Sequence, residues 1–451
     1  MSATIDCLEV ASALVEHAVR AGATAADAVA GESDGLEVGV RLGEVEKLQR
    51  ARERRAGLRV FVGESTAIVS TADFAPAALA ALAQDACVLA RATSPDRHGG
   101  LPERRFLAAA QPDLALWDPA VETVEPPDAV ARAREAEDAA LGFAPEIRNS
   151  EGAEFSSGGG RVAYASSHGF AGAYRGSSFS LVAVPIAERD GAMQRDHWWA
   201  ASRRLDGLPP GADIGREAAR RAVRRLGARR VPTCECPVVF DPETAASLLR
   251  HLAGAIAGTA LYRRASFLLD RLGDAIAAPG VTVIDDPLKP GGLASRPFDG
   301  EGVASERRTI VEGGTLRTYL LDSYSARRLG LEPTGHASRP VGDAPGVSPT
   351  NLWLEPGPYT PQAIIGSVRS GLYVTELIGF GVNLVTGDYS RGAAGLWIEN
   401  GELAYPVEEL TIAGNLLDML RDIEMVGSDL VVRSALAAPT VKVARMTVAG
   451  T

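Results

Sequence analysis

The sequence predicts an α+β protein in which N-terminal α+β segments precede a large β-rich C-terminal domain. Three observations carry this. The first 91 residues follow a helix, a series of alternating stretches and a second helix. A break in composition falls at Arg229-Arg230-Val231-Pro232. From Cys236 onward, after one long helical pattern, short alternating runs are separated by turns rich in Gly or Pro. At 451 residues the chain exceeds one ordinary domain, and the pattern divides it at 1–91, 92–128, 129–230 and 231–451.

The elements follow in order. Leu8, Ala11, Leu14, Val15 and Ala18 recur at helical spacing, and Gly22 ends that helix. Alternation over Ala26–Glu32, Leu36–Leu42, Arg59–Val62 and Thr66–Ser70 predicts strands separated by Gly-containing turns. Pro76 opens a helix with Leu79, Leu82, Ala86 and Leu89 on one face. Residues 92–128, rich in Pro, Asp and Gly, predict a linker. The middle segment predicts a helix over Ala129–Leu141 and strands over Ile147–Phe155, Arg161–Ser166, Ser177–Pro185 and Met193–Ala201. A helix over Ile214–Leu226 closes it. Beyond Pro232 the pattern gives a strand, an unbroken helix over Pro242–Leu261, and then many short strands. Pro242 and Glu243 suit the first turn of that helix after Asp241.

Composition narrows the function. A 46% hydrophobic and 23% charged content is that of a globular chain. A net charge of −11 disfavours a general role on nucleic acid. Apolar runs stop short of the ~18 residues that a membrane helix needs. The start, Met1-Ser2-Ala3-Thr4-Ile5-Asp6, has no basic region leading into an apolar core, so secretion is not expected. Four cysteines in so long a chain form no disulfide framework, and a reduced, cytoplasmic protein is the expectation. Cys234 and Cys236 read as small residues entering a strand, or as half of a metal site if histidines converge on them.

Few stretches carry chemistry. Ser156-Ser157-Gly158-Gly159-Gly160 lacks the spacing of a phosphate loop and predicts a hairpin loop. Arg216, Arg220, Arg221, Arg224 and Arg225 make a basic helix, either a solvated or inter-domain face or a surface for an acidic partner. Gly387-Asp388-Tyr389-Ser390-Arg391-Gly392 presents several polar types among small residues. It serves either as a turn held by an Asp388–Arg391 pair or as a surface that orients another backbone. Ser390 lacks a Gly-x-Ser-x-Gly elbow and an identifiable base. No two of the six histidines have His-x-x-x-His spacing.

A family resemblance adds to this. Tyr262-Arg263-Arg264-Ala265-Ser266-Phe267-Leu268-Leu269-Asp270, Gly292-Leu293-Ala294-Ser295-Arg296-Pro297-Phe298-Asp299-Gly300-Glu301-Gly302 and Ser323-Tyr324-Ser325-Ala326-Arg327-Arg328-Leu329-Gly330-Leu331 come in that order. Thr334-Gly335-His336, Gly387–Gly395, Glu399-Asn400-Gly401 and Thr411–Leu416 follow. Together they resemble the TldD/TldE (PmbA) metallopeptidase family, almost continuously from Val238 to Val432. The catalytic TldD-type subunit carries His-Glu-x-x-x-His and a C-terminal Cys. On that frame His251 keeps the first ligand position, Leu252 stands where the catalytic Glu would be, and Ile256 where the second His would be. Arg433–Pro439 offers no Cys. Leucine cannot act as a base and isoleucine cannot bind a metal, so the chain resembles TldE, the partner subunit.

The resemblance implies a non-catalytic subunit of a TldD–TldE zinc peptidase acting on unfolded or extended peptides, in leader-peptide removal or small-protein degradation. It implies a TldD-type partner that holds the zinc, no metal or catalytic residue here, and a homodimer when isolated. Gly387–Gly392 is then a candidate for the peptide path or the partner contact. Metal ligands five residues apart lie about 140° apart on an ideal helix, so a zinc site here needs a distorted turn. With Ile256 in place of the ligand, an ordinary helix is expected, carrying His251 as a polar or packed residue. Two other readings stay open: a stand-alone hydrolase with an unrecognised site, and a regulatory, nucleic-acid-associated protein of the gyrase-modulator kind.

Overall fold

The structure, a computed structural model, describes residues 6–450. Its N-terminal half is one antiparallel sheet with helices on one face. In chain order the strands are β1 (Ala25–Arg41), β2 (Glu44–Val62), β3 (Ser65–Thr71), β4 (Ile147–Ser166), β5 (Ala171–Arg189), β6 (Ala192–Arg195) and β7 (Trp198–Ser202). The sheet order is β3-β2-β1-β4-β5-β6, with β7 also on β5. β1 pairs with β4 from Asp27↔Ser166 to Val40↔Ala153, so segments 1–91 and 129–230 share this sheet.

Parity along β1 explains its two faces. Ala26, Ala28 and Ala30 pack under α1 (Cys7–Arg20) and α2 (Pro76–Ala92). Leu36 and Val38, on the same side, pack under α3 (Pro126–Leu141) and α4 (Gly211–Val223). The odd residues face the C-terminal half. Asp27 is ion-paired to Arg59 at 2.6 Å and to Arg339 at 2.7 Å, and accepts a hydrogen bond from Tyr164 Oη at 2.9 Å. Burial opposes that carboxylate, but Arg339 and Arg59 outweigh it and hold its pKa down at about 2.

Several strand expectations need correction. β1 and β2 run unbroken through Gly35 and through Glu44–Arg55, where turns were expected. Residues 44–55 are exposed and held by backbone pairing to β1, with no apolar face to mark them. Ser156–Gly160 is no hairpin loop. It lies inside β4 and pairs with Ser33–Glu37 of β1 and with Gly176–Ser180 of β5. A Cβ on Gly159 would come within 3.1 Å of the Trp117 ring, which takes the space a side chain would need. Segment 92–128 is packed down by Leu101, Leu114, Leu116 and Val124. On α2, Leu89 is 50% exposed, and Ala83, Cys87 and Ala90 complete the buried face.

The C-terminal half surrounds the largest core. It comprises β8 (Cys234–Phe240), α5 (Pro242–Ala255), α6 (Gly258–Tyr262), β9 (Val283–Asp285), β10 (Arg308–Glu312), β11 (Thr315–Leu316) and α7 (Ser323–Leu329). There follow β12 (Ala337–Ser338), β13 (Gly346–Val347), β14 (Leu352–Leu354), α8 (Pro361–Gly366), β15 (Ser370–Ile378), β16 (Asp388–Glu399) and β17 (Glu402–Asn415). It ends with α9 (Leu416–Arg421), β18 (Ile423–Val426), β19 (Leu436–Ala437) and β20 (Val441–Ala449). The main sheet runs β17-β16-β15-β8-β20-β18, and a smaller one runs β11-β10-β9-β14-β19. α5 lies between them, so Leu248, Leu249 and Leu252 are buried in the common core.

The expected unbroken helix over Pro242–Leu261 is also corrected. It starts as read, with Asp241 accepting from Thr244 N at 2.8 Å. It stops at Ala255, with Ile256 as its cap, and restarts at Gly258. Ala257 bridges to Leu320, and that tertiary pairing breaks the helix.

Candidate functional site

α5 and β16 bring His251, Tyr389 and Arg391 together. The His251 and Tyr389 rings meet edge to face, with centroids 5.9 Å apart at 79°. His251 Nε2, Tyr389 Oη and Arg391 Nε are each buried with no hydrogen-bond partner among the described residues. Arg391 Nη2 donates to the Leu377 carbonyl at 3.2 Å. Burial pushes the His251 pKa down to about 4, helped by the charges of Arg391 and Arg250, so the imidazole is neutral near pH 7. Burial raises the Tyr389 phenol to about 12, against the pull of Arg391. Three unpaired polar atoms in one place is uncommon, because buried polar groups usually find partners. Chemically, the cluster can donate to or accept from a polar backbone.

Leu252 and Ile256 do not join it. The helical step turns Leu252 into the core, where it is 3% exposed, and Ile256 is 0% exposed at the helix end. Leu436 and Ala437, in the stretch that carries the Cys of catalytic relatives by resemblance, form β19 alongside β14. Among the described residues, no three His, Cys, Asp or Glu side chains converge as a metal site. One imidazole, two aliphatic side chains and a neighbouring guanidinium do not fit a zinc ion. His98, His168, His197 and His336 have hydrogen bonds of their own, away from this cluster. His336, for example, is buried between Thr334 Oγ1 at 2.8 Å and Asp285 Oδ2 at 3.1 Å. Cys234 and Cys236 are free thiols entering β8.

Residues 387–392 form no free loop. Gly387, at φ +84°, turns the chain into β16, and a Cβ there would come within 3.0 Å of the Asn415 amide. From Asp388 the segment is strand, paired on one side with β17. On the other side, Ser390 N donates to the Gly381 carbonyl and Gly392 sits opposite Ile378. Asp388 accepts from Thr386 Oγ1 at 2.6 Å and does not pair with Arg391. In a strand, residues three apart point to opposite faces. Asp388 and Ser390 are exposed, whereas Tyr389 is buried against His251.

The basic helix is largely neutralised within the chain. Arg216 pairs with Asp213 and Arg220 with Glu217, each at 2.6 Å, and Arg225 pairs with Glu376 at 2.6 Å. Arg221 is buried beside Asp196 at 3.2 Å and Asp241 at 3.6 Å. Sequence reasoning missed that α4 turns Arg221 and Arg224 toward a cleft lined by Trp198, Trp199 and Arg433. The available signal was their position beside the buried Ala218 and Ala222.

Family models match residues 26–90 as PmbA/TldA metallopeptidase domain 1, 119–226 as its central domain and 233–450 as its C-terminal domain. The chain is 41% identical to the metalloprotease PmbA of Escherichia coli O157:H7, over 99% of this chain and 98% of that one. It is 38% identical to the PmbA homolog of Haemophilus influenzae, over 97% and 94% of the two chains. A crystal structure from Bacteroides thetaiotaomicron, described as a putative modulator of DNA gyrase, superposes with a TM-score of 0.91 at 28% identity, covering 98% of each chain. TldE from Thermococcus kodakarensis shares the fold, with a TM-score of 0.89 at 20% identity over 98% and 100% of the chains. The chain belongs to the PmbA/TldD metallopeptidase family.

Proposed function

We propose that this chain is the non-catalytic subunit of a TldD–TldE-type zinc peptidase that acts on unfolded or extended peptides, removing leader peptides or degrading small proteins. The observation that carries this reading is the fate of the motif. Leu252 and Ile256 are core residues, and His251 stands alone beside a cation that opposes its protonation. In the proposed complex the TldD-type partner supplies zinc, the catalytic carboxylate and the attacking water. This chain supplies the partner surface and part of the peptide path. Both edges of β16 at Asp388–Gly392 are occupied, so this segment contributes side chains rather than an edge for strand addition. Asp388 and Ser390 are the exposed side chains of this stretch and its candidates for contact with peptide or partner, with Gly387, Tyr389, Arg391 and Gly392 holding the strand behind them. The complex works in the cytoplasm, a reading supported by four unpaired cysteines. No helix among the described residues is long and apolar enough to cross a membrane.

Co-expression with a TldD-type homologue tests the proposal. The two chains should co-purify, and the complex should cleave an unstructured peptide and lose activity to a chelator. Alone, this chain should be inert and form a homodimer through the surface meant for its partner. Chelator-insensitive turnover by the purified chain alone would refute the reading.

A further inference from the structure

We infer that the cleft between α4, β7 and the start of α5 is a binding site for a monoanionic carboxylate carried on an apolar body. This site lies at the opposite end of α5 from Ile256, and the inference stands whether or not the chain is a peptidase subunit. The cleft has a volume of about 500 Å³. Its floor is Arg221, whose charge is consumed by Asp196, Asp241 and Glu243 at 3.2, 3.6 and 3.8 Å. Glu243 is further held by the Trp199 indole N–H at 3.2 Å and by His197 at 3.2 Å. Arg220 pairs with Glu217 at the rim. The remaining carboxylate, Asp429, accepts from Thr440 N at 3.0 Å and Thr440 Oγ1 at 2.7 Å.

Two lining guanidiniums have no such partner. Nε and Nη2 of Arg224, and Nη1 of Arg433, are buried and meet no acceptor among the described residues. The Arg433 guanidinium carbon lies over Trp198, 3.7 Å from the ring centroid. Burial lowers the pKa of both arginines below the usual range. Buried donors left unmade are costly, and an arginine fork is complementary to a planar carboxylate. The ligand's charge is limited by the carboxylates already lining the cleft, since a dianion would meet Glu217, Asp241, Glu243 and Asp429. Trp198, Trp199, Ile214 and Tyr373 supply apolar wall for the rest of the molecule. A peptide's C-terminal carboxylate and an acidic side chain share this chemistry.

Three probes separate the sources: Ac-Ala-Leu, its C-terminal amide, and the amidated peptide Ac-Glu-Leu-NH2. Binding to the full chain is read from tryptophan emission and by calorimetry, with inorganic phosphate as competitor. Saturable binding of Ac-Ala-Leu but not of its amide is expected, and binding of Ac-Glu-Leu-NH2 would add the side chain as a second source. Arg224→Gln and Arg433→Gln should each weaken binding about tenfold or more, the loss of a charge-assisted hydrogen bond. Arg433→Lys keeps the charge but loses the planar fork and should fall between. If Arg224→Gln does not fold, the Arg433 pair on the peripheral 429–433 segment decides. The inference is overturned if no carboxylate probe saturates at millimolar concentration, if acid and amide bind alike, if phosphate competes as well as the peptide acid, or if the folded glutamine variants bind undiminished.

Discussion

Restoring the missing letters of the zinc motif, by Leu252→Glu with Ile256→His, should unfold the chain rather than arm it. Leu252 is 3% exposed and faces Leu248, Leu249, Ile276 and Val283 around a space of about 20 Å³. That space holds about one water and offers it no polar partner. Removing the leucine forfeits roughly 2 kcal/mol of apolar burial. A carboxyl kept neutral there at pH 7 costs a further ~3.7 kcal/mol, from 1.36 kcal/mol per pH unit above a free value near 4.3. Its unmade hydrogen bonds add about 1–3 kcal/mol. The total, roughly 7–9 kcal/mol, is comparable with the whole stability of an ordinary domain, about 5–15 kcal/mol.

The pH dependence separates charge from shape. Burial raises the introduced carboxyl's folded pKa, so the native state binds the extra proton. The penalty is absent below the unfolded value near 4.3 and grows as pH rises toward the folded pKa. Leu252→Gln, which has the shape but no charge, should therefore lie close to Leu252→Glu at pH 5 and well above it at pH 7. Denaturant melts of the single and double variants at both pH values, with zinc content measured on each, decide the matter. A double variant that melts like the parent and holds one zinc per chain would refute the reasoning.

Other expectations are simpler. Gly215→Ala places a Cβ 1.9 Å from the Ala136 carbonyl, so α3 and α4 must separate, and thermal melting should show a loss of about 2 kcal/mol or more. The depressed His251 pKa means the unfolded chain binds a proton that the folded chain refuses. Stability should be full above 6.5 and fall as pH drops toward 4, and His251→Phe should flatten that slope in pH-dependent melts. Arg391→Ala should lower cleavage by the reconstituted complex while leaving melting nearly unchanged, since only Nη2 donates within the chain. It should also raise the His251 pKa, visible by NMR titration. An unassembled subunit with normal cleavage by any assembled fraction would make Arg391 structural.

The elements legible in the sequence are those with both a buried face and local punctuation. Asp241, Pro242 and Glu243 mark the start of α5 because the cap, the fixed φ and the acidic first turn are local properties. Residues 44–55 of β2 could not be read so. Their hydrogen bonds go to β1 while their side chains face water, so no period-2 apolar signal exists. Gly158–Gly160 misled for the opposite reason. At Gly159 the side chain is missing because Trp117 and Val121 pack on the strand there. The candidate site was half legible: family resemblance singled out His251 and Gly387–Gly392, but nothing local says that Tyr389 meets His251 or that Arg391 faces away from Asp388. That follows from strand parity once β16 is known to be a strand.

The break in α5 bears on what bends the end of this helix. If zinc coordination were what bends the helix end, a chain with Ile256 should continue helical to Leu261. Instead Leu320 N donates to the Ile256 carbonyl at 3.1 Å and Gly258 N donates to the Leu320 carbonyl at 2.8 Å. A Cβ on Gly258 would lie 2.2 Å from Ser325 Oγ, so α6 can approach α7 only with glycine there. Ser266 Oγ caps the Ala255 carbonyl at 2.6 Å. The backbone geometry is thus fixed by pairing and close packing, none of it through the side chains at the ligand positions. The side chains at Leu252 and Ile256 are then free to be apolar, and both are packed in the core. His251 is left where the geometry put it, neutral and unpaired, against the buried Tyr389 ring.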